Sequence, residues 1–359
     1  MAHRRLVAWL TTVLASTLVA WVAGCSAETS SAPTSAPSGA PTPTVLATAS
    51  PSHDLFPTTA PGLSVPTHSV VAIEAATGNV LDVIPVGPDP KLIATASGQV
   101  WTLNLGDGGM SRIDPTTHGV VSVRVDGDAV GMASDGDTIW VTHDGRFLTQ
   151  LDGSTGDPVS SVGLAKAPIF ALRDAGFLAV ADGTAWLTVP VLGHFRSPQS
   201  LWEVDVASGK SQSTYPLSPD PLTPIVSDGA VWVPVLGSNG VVRLDLETRL
   251  ADIIRLREIA VGVAAGEGAI WAVREFSGSM VRLEPTDGSI VAEIKLGWRG
   301  RGVAVGGGSV WAATEGGVTE IDPATNLVRR VIPLMDQVLH GLGPSALTYL
   351  DGIVWVAVE

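Results

Sequence analysis

The chain of 359 residues is acidic, with a formal net charge of −14, and it combines 40 glycines and 25 prolines with an aromatic content of only 5%. Nucleic-acid phosphates and anionic lipids repel a protein of this charge, so the composition argues against nucleic acid as a partner. The single cysteine excludes an internal disulfide bond and a metal site built from several thiolates.

The first 24 residues follow the order of a secretory signal. Two arginines, Arg4 and Arg5, precede an apolar run from Leu6 to Ala23, and small residues lead to Cys25. Val22-Ala23-Gly24-Cys25 resembles the lipobox of bacterial lipoproteins, which implies a signal peptide over 1–24, lipidation of Cys25 and anchoring to the outer face of the cell membrane. The alternative is an uncleaved membrane helix, because the run of 18 residues could just span a bilayer.

Residues 25–67 form the second segment, which begins with the cysteine predicted to carry lipid. From residue 26 onward it is dominated by Ser, Thr, Ala and Pro, as in Ala32-Pro33-Thr34-Ser35-Ala36-Pro37. It has almost no charge and no apolar period, so it cannot bury enough surface to offset the entropy of ordering. We expect a disordered tether between the lipid and the folded part.

Beyond residue 67 a tryptophan between β-forming residues recurs after a glycine-containing or aspartate-containing turn, as in Gly98-Gln99-Val100-Trp101. The tryptophans of this phrase are Trp101, Trp140, Trp186, Trp232, Trp271, Trp311 and Trp355. Their spacings of 39, 46, 46, 39, 40 and 44 residues match the length of one four-stranded propeller blade. One tryptophan per blade at one strand position predicts packing between blades.

A second phrase follows each loop and ends in a carboxylate, as in Ser111-Arg112-Ile113-Asp114 and Val242-Arg243-Leu244-Asp245. It is typical of a strand that closes on a tight turn, where the carboxylate accepts hydrogen bonds from the following backbone N–H groups. We therefore expect these acids to be structural. No segment shows a convincing helical period.

The two ends of residues 68–359 each supply half a blade. The segment 71–80 is the second phrase without a tryptophan before it, whereas the chain stops just after Val354-Trp355-Val356. Pairing the two halves closes a ring and removes exposed strand edges. The predicted fold is all-β: a single seven-bladed β-propeller of four-stranded blades, whose last blade joins N-terminal outer strands to C-terminal inner strands.

Two phrases, Gly308-Ser309-Val310-Trp311-Ala312 and Ile321-Asp322-Pro323-Ala324-Thr325, resemble the YVTN-type repeat β-propellers and their streptogramin B lyase-like and quinoprotein-like relatives. The resemblance covers residues 68–359. The lyase-like relatives use a histidine base and a divalent metal, and their pattern includes a Glu-x-His element. Here Glu275 and Glu315 have no histidine two residues later, which argues against that activity.

In such a propeller the turns between the first and second and between the third and fourth strands of each blade lie on one face, where they are stereotyped. The other loops, which vary in length and chemistry, form what we call the variable face. Scaffold loops of this kind usually carry function. The candidate ligand-binding residues on this face are Trp298, Arg299, Arg301, Arg274, Glu275, His143, His194 and His340.

Trp298 is the most informative candidate, because it lies outside the repeat phrase and beside two arginines. Arginine forks bind carboxylate or phosphate, and a nearby ring can stack on a ligand. The alternative interpretation is that Trp298 packs on a neighbouring loop while the arginines are solvated or paired with acids. The candidate histidines come from different blades, so no local spacing indicates a metal site, and no cofactor is predicted.

Known catalytic motifs are absent from the sequence: it has no His-Glu-x-x-His, no Gly-x-Ser-x-Gly and no phosphate-binding loop. The favoured prediction is therefore a membrane-anchored, extracytoplasmic β-propeller that acts as a binding or scaffold module for a protein, peptide or glycan. A lyase resembling the streptogramin B lyases and a sensor that reads a ligand on the outer face are the alternatives. Whether the chain catalyses a reaction stays open, with an enzyme the less favoured prediction.

Overall fold

The structure is a computed structural model that describes residues 65–143, 146–164, 177–188, 199–334 and 343–359. The predicted signal peptide, Cys25 and nearly all of the predicted tether lie outside these residues. Among the residues described, no helix combines the length and the apolar character that crossing a bilayer requires.

Twenty-eight strands make up seven four-stranded antiparallel sheets in the described part of the chain. Blade 1 comprises β3 (Pro90–Ala96), β4 (Gln99–Asn104), β5 (Gly109–Ile113) and β6 (Val120–Val123). Blade 2 comprises β7 (Ala129–Asp135), β8 (Thr138–His143), β9 (Phe147–Asp152) and β10 (Pro158–Gly163), and blade 3 comprises β11 (Phe177–Ala181), β12 (Thr184–Thr188), β13 (Gln199–Asp205) and β14 (Ser211–Leu217).

Blades 4 to 6 follow the same plan. Blade 4 comprises β15 (Ile225–Ser227), β16 (Ala230–Val235), β17 (Gly240–Asp245) and β18 (Ala251–Arg255), and a short 3-10 turn, Leu236–Ser238, lies between β16 and β17. Blade 5 comprises β19 (Ala260–Gly266), β20 (Ala269–Arg274), β21 (Ser279–Leu283) and β22 (Ile290–Lys295). Blade 6 comprises β23 (Gly300–Gly306), β24 (Ser309–Thr314), β25 (Gly317–Asp322) and β26 (Leu327–Pro333).

The closing blade contains both ends of the folded region, in the order β2 (Val80–Pro85), β1 (Ser69–Glu74), β28 (Ile353–Val358) and β27 (Pro344–Leu350). Strand β1 pairs antiparallel with β28 from Ser69 opposite Val358 to Glu74 opposite Ile353. The predicted seven-bladed propeller, with its last blade made from N-terminal outer strands and C-terminal inner strands, is confirmed. Because β1 is hydrogen-bonded along both of its edges, the ring has no open strand edge at this point.

The first strand of each blade lies innermost and contacts the first strands of the blades on either side. These strands are β3, β7, β11, β15, β19, β23 and β27, and β27 contacts β3 again to complete the circle. They surround the central channel. The hydrophobic core is accordingly divided into clusters between neighbouring blades, such as the one that joins Trp101 and Leu103 of blade 1 to Ile139 and Val141 of blade 2.

The seven repeat tryptophans lie in these interfaces, each 5% exposed or less. Trp101 also donates from its indole Nε1 to the carbonyl of Gly153 in blade 2, at 3.0 Å. A buried tryptophan keeps its N–H bonded in this way while its ring supplies most of the packing area. The predicted packing of the tryptophans between blades is confirmed.

The aspartates that end the third strands act as turn anchors, as predicted. Asp245 accepts hydrogen bonds from the backbone N–H of Thr248 at 2.8 Å and of Glu247 at 3.2 Å. The bonds from the backbone N–H and the hydroxyl of Thr248, together with the Arg243 guanidinium, favour the charged form and lower the pKa of Asp245 to about 2. The residue four positions after the carboxylate, such as Arg249 at φ +62°, adopts the left-handed conformation that completes the turn.

Candidate functional site

The variable face gathers the ends of the second strands, the starts of the third strands and the connections that enter each inner strand. The candidate residues that the structure describes all belong to these segments. Arg274 ends β20, Glu275 follows it, Arg301 is the second residue of β23, and Trp298 and Arg299 precede that strand. Three neighbouring loops of blades 5 and 6 therefore bring four of the eight predicted residues, Trp298, Arg299, Arg301 and Glu275, to one place.

Two arginines and two glutamates form an ion-pair chain across these loops. Arg299 donates to Glu275 at 2.5 Å, and Arg301 donates to Glu315 at 3.2 Å. Glu315 also lies 3.6 Å from Nε of Arg299, so one carboxylate is shared by both arginines. The Arg299 and Arg301 side chains keep 39% and 30% of their surface exposed, respectively, whereas Glu315 keeps 10%. The acids thus lie behind the arginines, which face solvent.

Phe276 lies on top of this chain. The Arg299 guanidinium carbon is 4.7 Å from the centre of the phenyl ring, in cation–π geometry, and Phe276 is 61% exposed. The loop that carries Phe276 is held by Glu258, which accepts a hydrogen bond from the backbone N–H of Ser277 at 2.5 Å. Burial disfavours the charged form of Glu258, but bonds from Ser277 and from the backbone N–H of Phe276 outweigh it and lower the pKa of this carboxyl.

Trp298 packs on the loop of blade 6 and remains 41% exposed. Its ring lies against Gly316, where an added Cβ would come within 2.7 Å of the indole Cδ1 and Nε1. The glycine therefore makes room for the ring. Both features of the alternative interpretation, the packed tryptophan and the arginines paired with acids, are present. They coexist with two exposed rings: Phe276, which contacts the Arg299 guanidinium, and Trp298, which precedes Arg299 in the chain.

Arg274 and His143 lie inside their own blades, apart from this group. Arg274 is 6% exposed, donates to Ser279 at 2.8 Å and to the carbonyl of Leu256 at 3.1 Å, and pairs with Glu293. His143 is 4% exposed, and its Nε2 is 2.8 Å from the Thr149 hydroxyl. These contacts tie strands of one blade together, and neither side chain joins the chain of Arg299 and Glu315.

His194 and His340 lie outside the described residues, so their predicted roles stay predictions. Within the described ranges no group of three or more His, Cys, Asp or Glu side chains is arranged to hold a metal ion.

A cavity of about 440 Å³ occupies the channel on the side of the variable face. Its walls are mainly apolar and come from inner strands of several blades, including Ile93, Val263, Val303 and Leu347, together with Leu105 from a variable-face loop. Arg301 also contributes to the lining. Arg301 was predicted from the sequence, but Lys91 and Ser345 were not; they line the same cavity from the same position of β3 and β27. Aligning the repeats at the first residue of each inner strand would have shown that Lys91, Ser345 and Arg301 occupy the same position.

Comparisons with known proteins identify the fold. No family model matches the chain, and no curated protein matches it. A chain of hydrazine synthase from Kuenenia stuttgartiensis is similar, with 15% identity over 71% of this chain and 89% of that one, and a TM-score of 0.57. AztD from Citrobacter koseri shares 14% identity over 81% of this chain and 86% of AztD, with a TM-score of 0.56.

The extracellular domain of BT4673 from B. thetaiotaomicron is a third similar structure. It shares 17% identity over 80% of this chain, with a TM-score of 0.55, and the match covers 42% of that longer chain. At such identities the likeness shows the fold alone. The chain is thus a seven-bladed β-propeller with an extracellular-domain propeller among its structural neighbours.

Proposed function

We propose that this chain is an exported lipoprotein whose propeller is a binding module for a peptide or protein partner. The observation that carries the proposal is the exposed group of Phe276, Arg299 and Trp298 on the variable face, which we call the aromatic patch. Aromatic residues and arginine dominate the residues that contribute most to binding at protein interfaces. Here they belong to loops held by the partly buried carboxylates of Glu258, Glu275 and Glu315, so a partner meets a patch that is already organised.

Export and anchoring rest on the N-terminal sequence, with Arg4 and Arg5, the apolar run to Ala23 and the lipobox-like residues before Cys25. The extracellular-domain neighbour is consistent with that location. The Ser, Thr and Pro-rich segment after Cys25 gives the propeller reach from the membrane surface.

Site-specific photo-crosslinking in living cells tests the binding proposal. A photoreactive phenylalanine analogue replaces Phe276, and the matched control carries it at Phe147, which is 40% exposed at the start of β9 on the same face. We expect a discrete crosslinked band from position 276, absent or much weaker at position 147, and reduced by Trp298→Ala. Equal labelling at both positions, or none at 276, contradicts the proposal. A high-mass smear at 276 indicates a glycan polymer instead.

Cell fractionation tests the anchoring separately. The wild-type chain is expected in the membrane fraction and Cys25→Ser in the soluble extracytoplasmic fraction. A Cys25→Ser variant that stays in the membrane would show that the N-terminal apolar run is retained as a helix.

A further inference from the structure

The channel cavity presents a second kind of site, which is built by irregularities in the inner strands. Strand β3 has a register shift between Pro90 and Leu92, so Lys91 is the extra residue of a β-bulge. The same shift occurs at the start of β19, β23 and β27. The extra residues there are Val261, Arg301 and Ser345, and all four line the cavity. A bulge redirects a side chain, and these four lie at the same level of their blades, whereas the equivalent bulge of β7 carries Val130, which is not among the lining residues.

The polar bulge residues occupy one arc of the ring. Strands β23, β27 and β3 are successive neighbours, so Arg301, Ser345 and Lys91 follow one another around the cavity wall. The remaining arc is mainly apolar and contributes Phe177, Leu222 and Val261, with Thr223 as a polar exception. The cavity therefore has one arc that carries two cations and the Ser345 hydroxyl, and another that is mainly apolar.

Among the described lining residues the ionisable side chains are those of Lys91 and Arg301, and both are cations. The chain as a whole, in contrast, carries a net charge of −14. Lys91 is held by Glu359 and lies 3.5 Å from Asp89, and Arg301 is held by Glu315 at 3.2 Å. None of these acids belongs to the lining. They position the two cations without occupying the cavity, and Lys91 and Arg301 keep 37% and 30% of their side-chain surfaces exposed.

We propose that this cavity binds a small organic carboxylate with an apolar body. The carboxylate contacts the arc of Arg301, Ser345 and Lys91, and the body packs on Phe177, Leu222 and Val261. The arginine fork suits carboxylate geometry, and the remaining N–H donors of Arg301 can serve a ligand beside Glu315. The volume of about 440 Å³ lies within the range of small-molecule sites. This site goes beyond the proposed partner at the aromatic patch and does not depend on it.

Calorimetric titration with 4-phenylbutyrate tests the proposal, with 4-phenylbutyramide as the uncharged isostere and acetate as the anion without a body. The protein is the chain from Ser26 onward, which keeps every strand of the closed ring. We expect the carboxylate to bind at least about tenfold more tightly than the amide or acetate, because a hydrogen bond to a charged group and the apolar contact each contribute. Equal affinity for the acid and the amide overturns the proposal, and so does the absence of binding at millimolar concentration.

Substitutions at the bulges locate the site. Arg301→Gln and Lys91→Met are each expected to weaken phenylbutyrate binding at least about tenfold, and Val261→Asn to weaken it similarly. The matched control is Val130→Asn, at the equivalent bulge of β7, which is not among the lining residues. Circular dichroism confirms that each variant is folded. Unchanged affinity in the folded Arg301→Gln and Lys91→Met variants, or equal losses at Val130 and Val261, refutes the placement.

Discussion

Arg330, on the last strand of blade 6, donates from its guanidinium to the backbone carbonyl of Ala75, in the turn between β1 and β2. The same side chain bonds Glu320 at 2.5 Å, and its guanidinium carbon lies 5.9 Å from the Trp311 ring. Arg282 reaches the carbonyl of Pro323 in the next blade at 2.7 Å in a similar way. A residue near the end of the domain thus holds a turn near its beginning, across the interface between blade 6 and the closing blade.

Removing this contact is expected to destabilise the propeller. Arg330→Ala should lower the free energy of unfolding by about 1–3 kcal/mol, because it breaks charge-assisted hydrogen bonds and leaves the mostly buried Glu320 with one fewer partner. The neighbouring Arg329 is more exposed and bonds Glu320, Asp322 and other groups of its own blade only, so Arg329→Ala is the control and should cost less than Arg330→Ala. Urea unfolding followed by tryptophan fluorescence measures both. Equal effects would show that Arg330 does not secure the closure.

The inner strands approach each other too closely at β23 for a side chain larger than hydrogen. A Cβ at Gly302 would lie 2.8 Å from the backbone oxygen of Ser345 in the next blade. Gly302→Ala is therefore expected to cost about 1–3 kcal/mol by overpacking. Gly163→Ala, where nothing lies within 4 Å of the added methyl, should stay within about 0.5 kcal/mol of the wild type. Thermal unfolding of both variants measures the difference. If Gly302→Ala were as stable as Gly163→Ala, the neighbouring blades could move apart to accept a methyl group.

Acid should weaken the fold through the turn carboxylates. The pKa values of Asp114, Asp152, Asp205 and Asp322 are lowered by hydrogen bonds in their turns, and that of Asp245 falls to about 2. A group whose pKa is lower in the folded state stabilises the fold above its unfolded pKa, near 4, and this contribution is lost as pH falls through the folded pKa.

The melting temperature should therefore fall between about pH 4 and pH 2. Asp245→Asn should flatten part of this slope, because the amide does not titrate. Glu247→Gln, which alters an exposed carboxylate in the same turn, is the control and should leave the slope unchanged. A melting temperature that is constant down to pH 2 would contradict the role of these turns.

Glu315 should limit the affinity of the cavity for a carboxylate, because it competes for Arg301. Glu315→Gln is expected to raise the affinity for 4-phenylbutyrate by roughly two- to fivefold, the scale of a partly exposed ion pair. Glu275→Gln removes an acid that pairs with Arg299 and not with Arg301. The affinity of this variant for 4-phenylbutyrate should therefore match that of the wild type. Calorimetry distinguishes the two, and weaker binding after Glu315→Gln would show that Glu315 mainly orients Arg301.

The periodic parts of the fold could be predicted from the sequence because each blade repeats the same physical requirements. Tryptophans such as Trp271 and aspartates such as Asp245 recur in phase with the strands. The interfaces between blades need a large ring, and the third strand of a blade needs a residue that anchors the following turn. The two half-blades followed from the same periodicity. These features specify architecture, and they carry no information about the ligand.

The site was only partly predictable, because its residues depart from the repeat or meet across blades. Trp298, Arg299 and Glu275 were found since charged and aromatic residues stand out in loops. Their pairing with Glu315 depends on how blades 5 and 6 dock, which local sequence does not reveal. Lys91 was missed because only the bulge turns it to the channel, and Arg274 resembled a loop cation although it is buried in blade 5.

Closure of the ring through β1 also determines how the domain bears mechanical load. For a domain held by its N-terminal segment, as proposed here, tension enters at Ser69 and runs along the axis of β1. That strand is bonded to β2 from Ser69 to Ile73 and to β28 from Ser69 to Glu74. The pull loads both ladders in shear, so many hydrogen bonds resist together instead of parting one after another. A tether at this end of the chain therefore pulls on a strand that two hydrogen-bonded ladders hold in place.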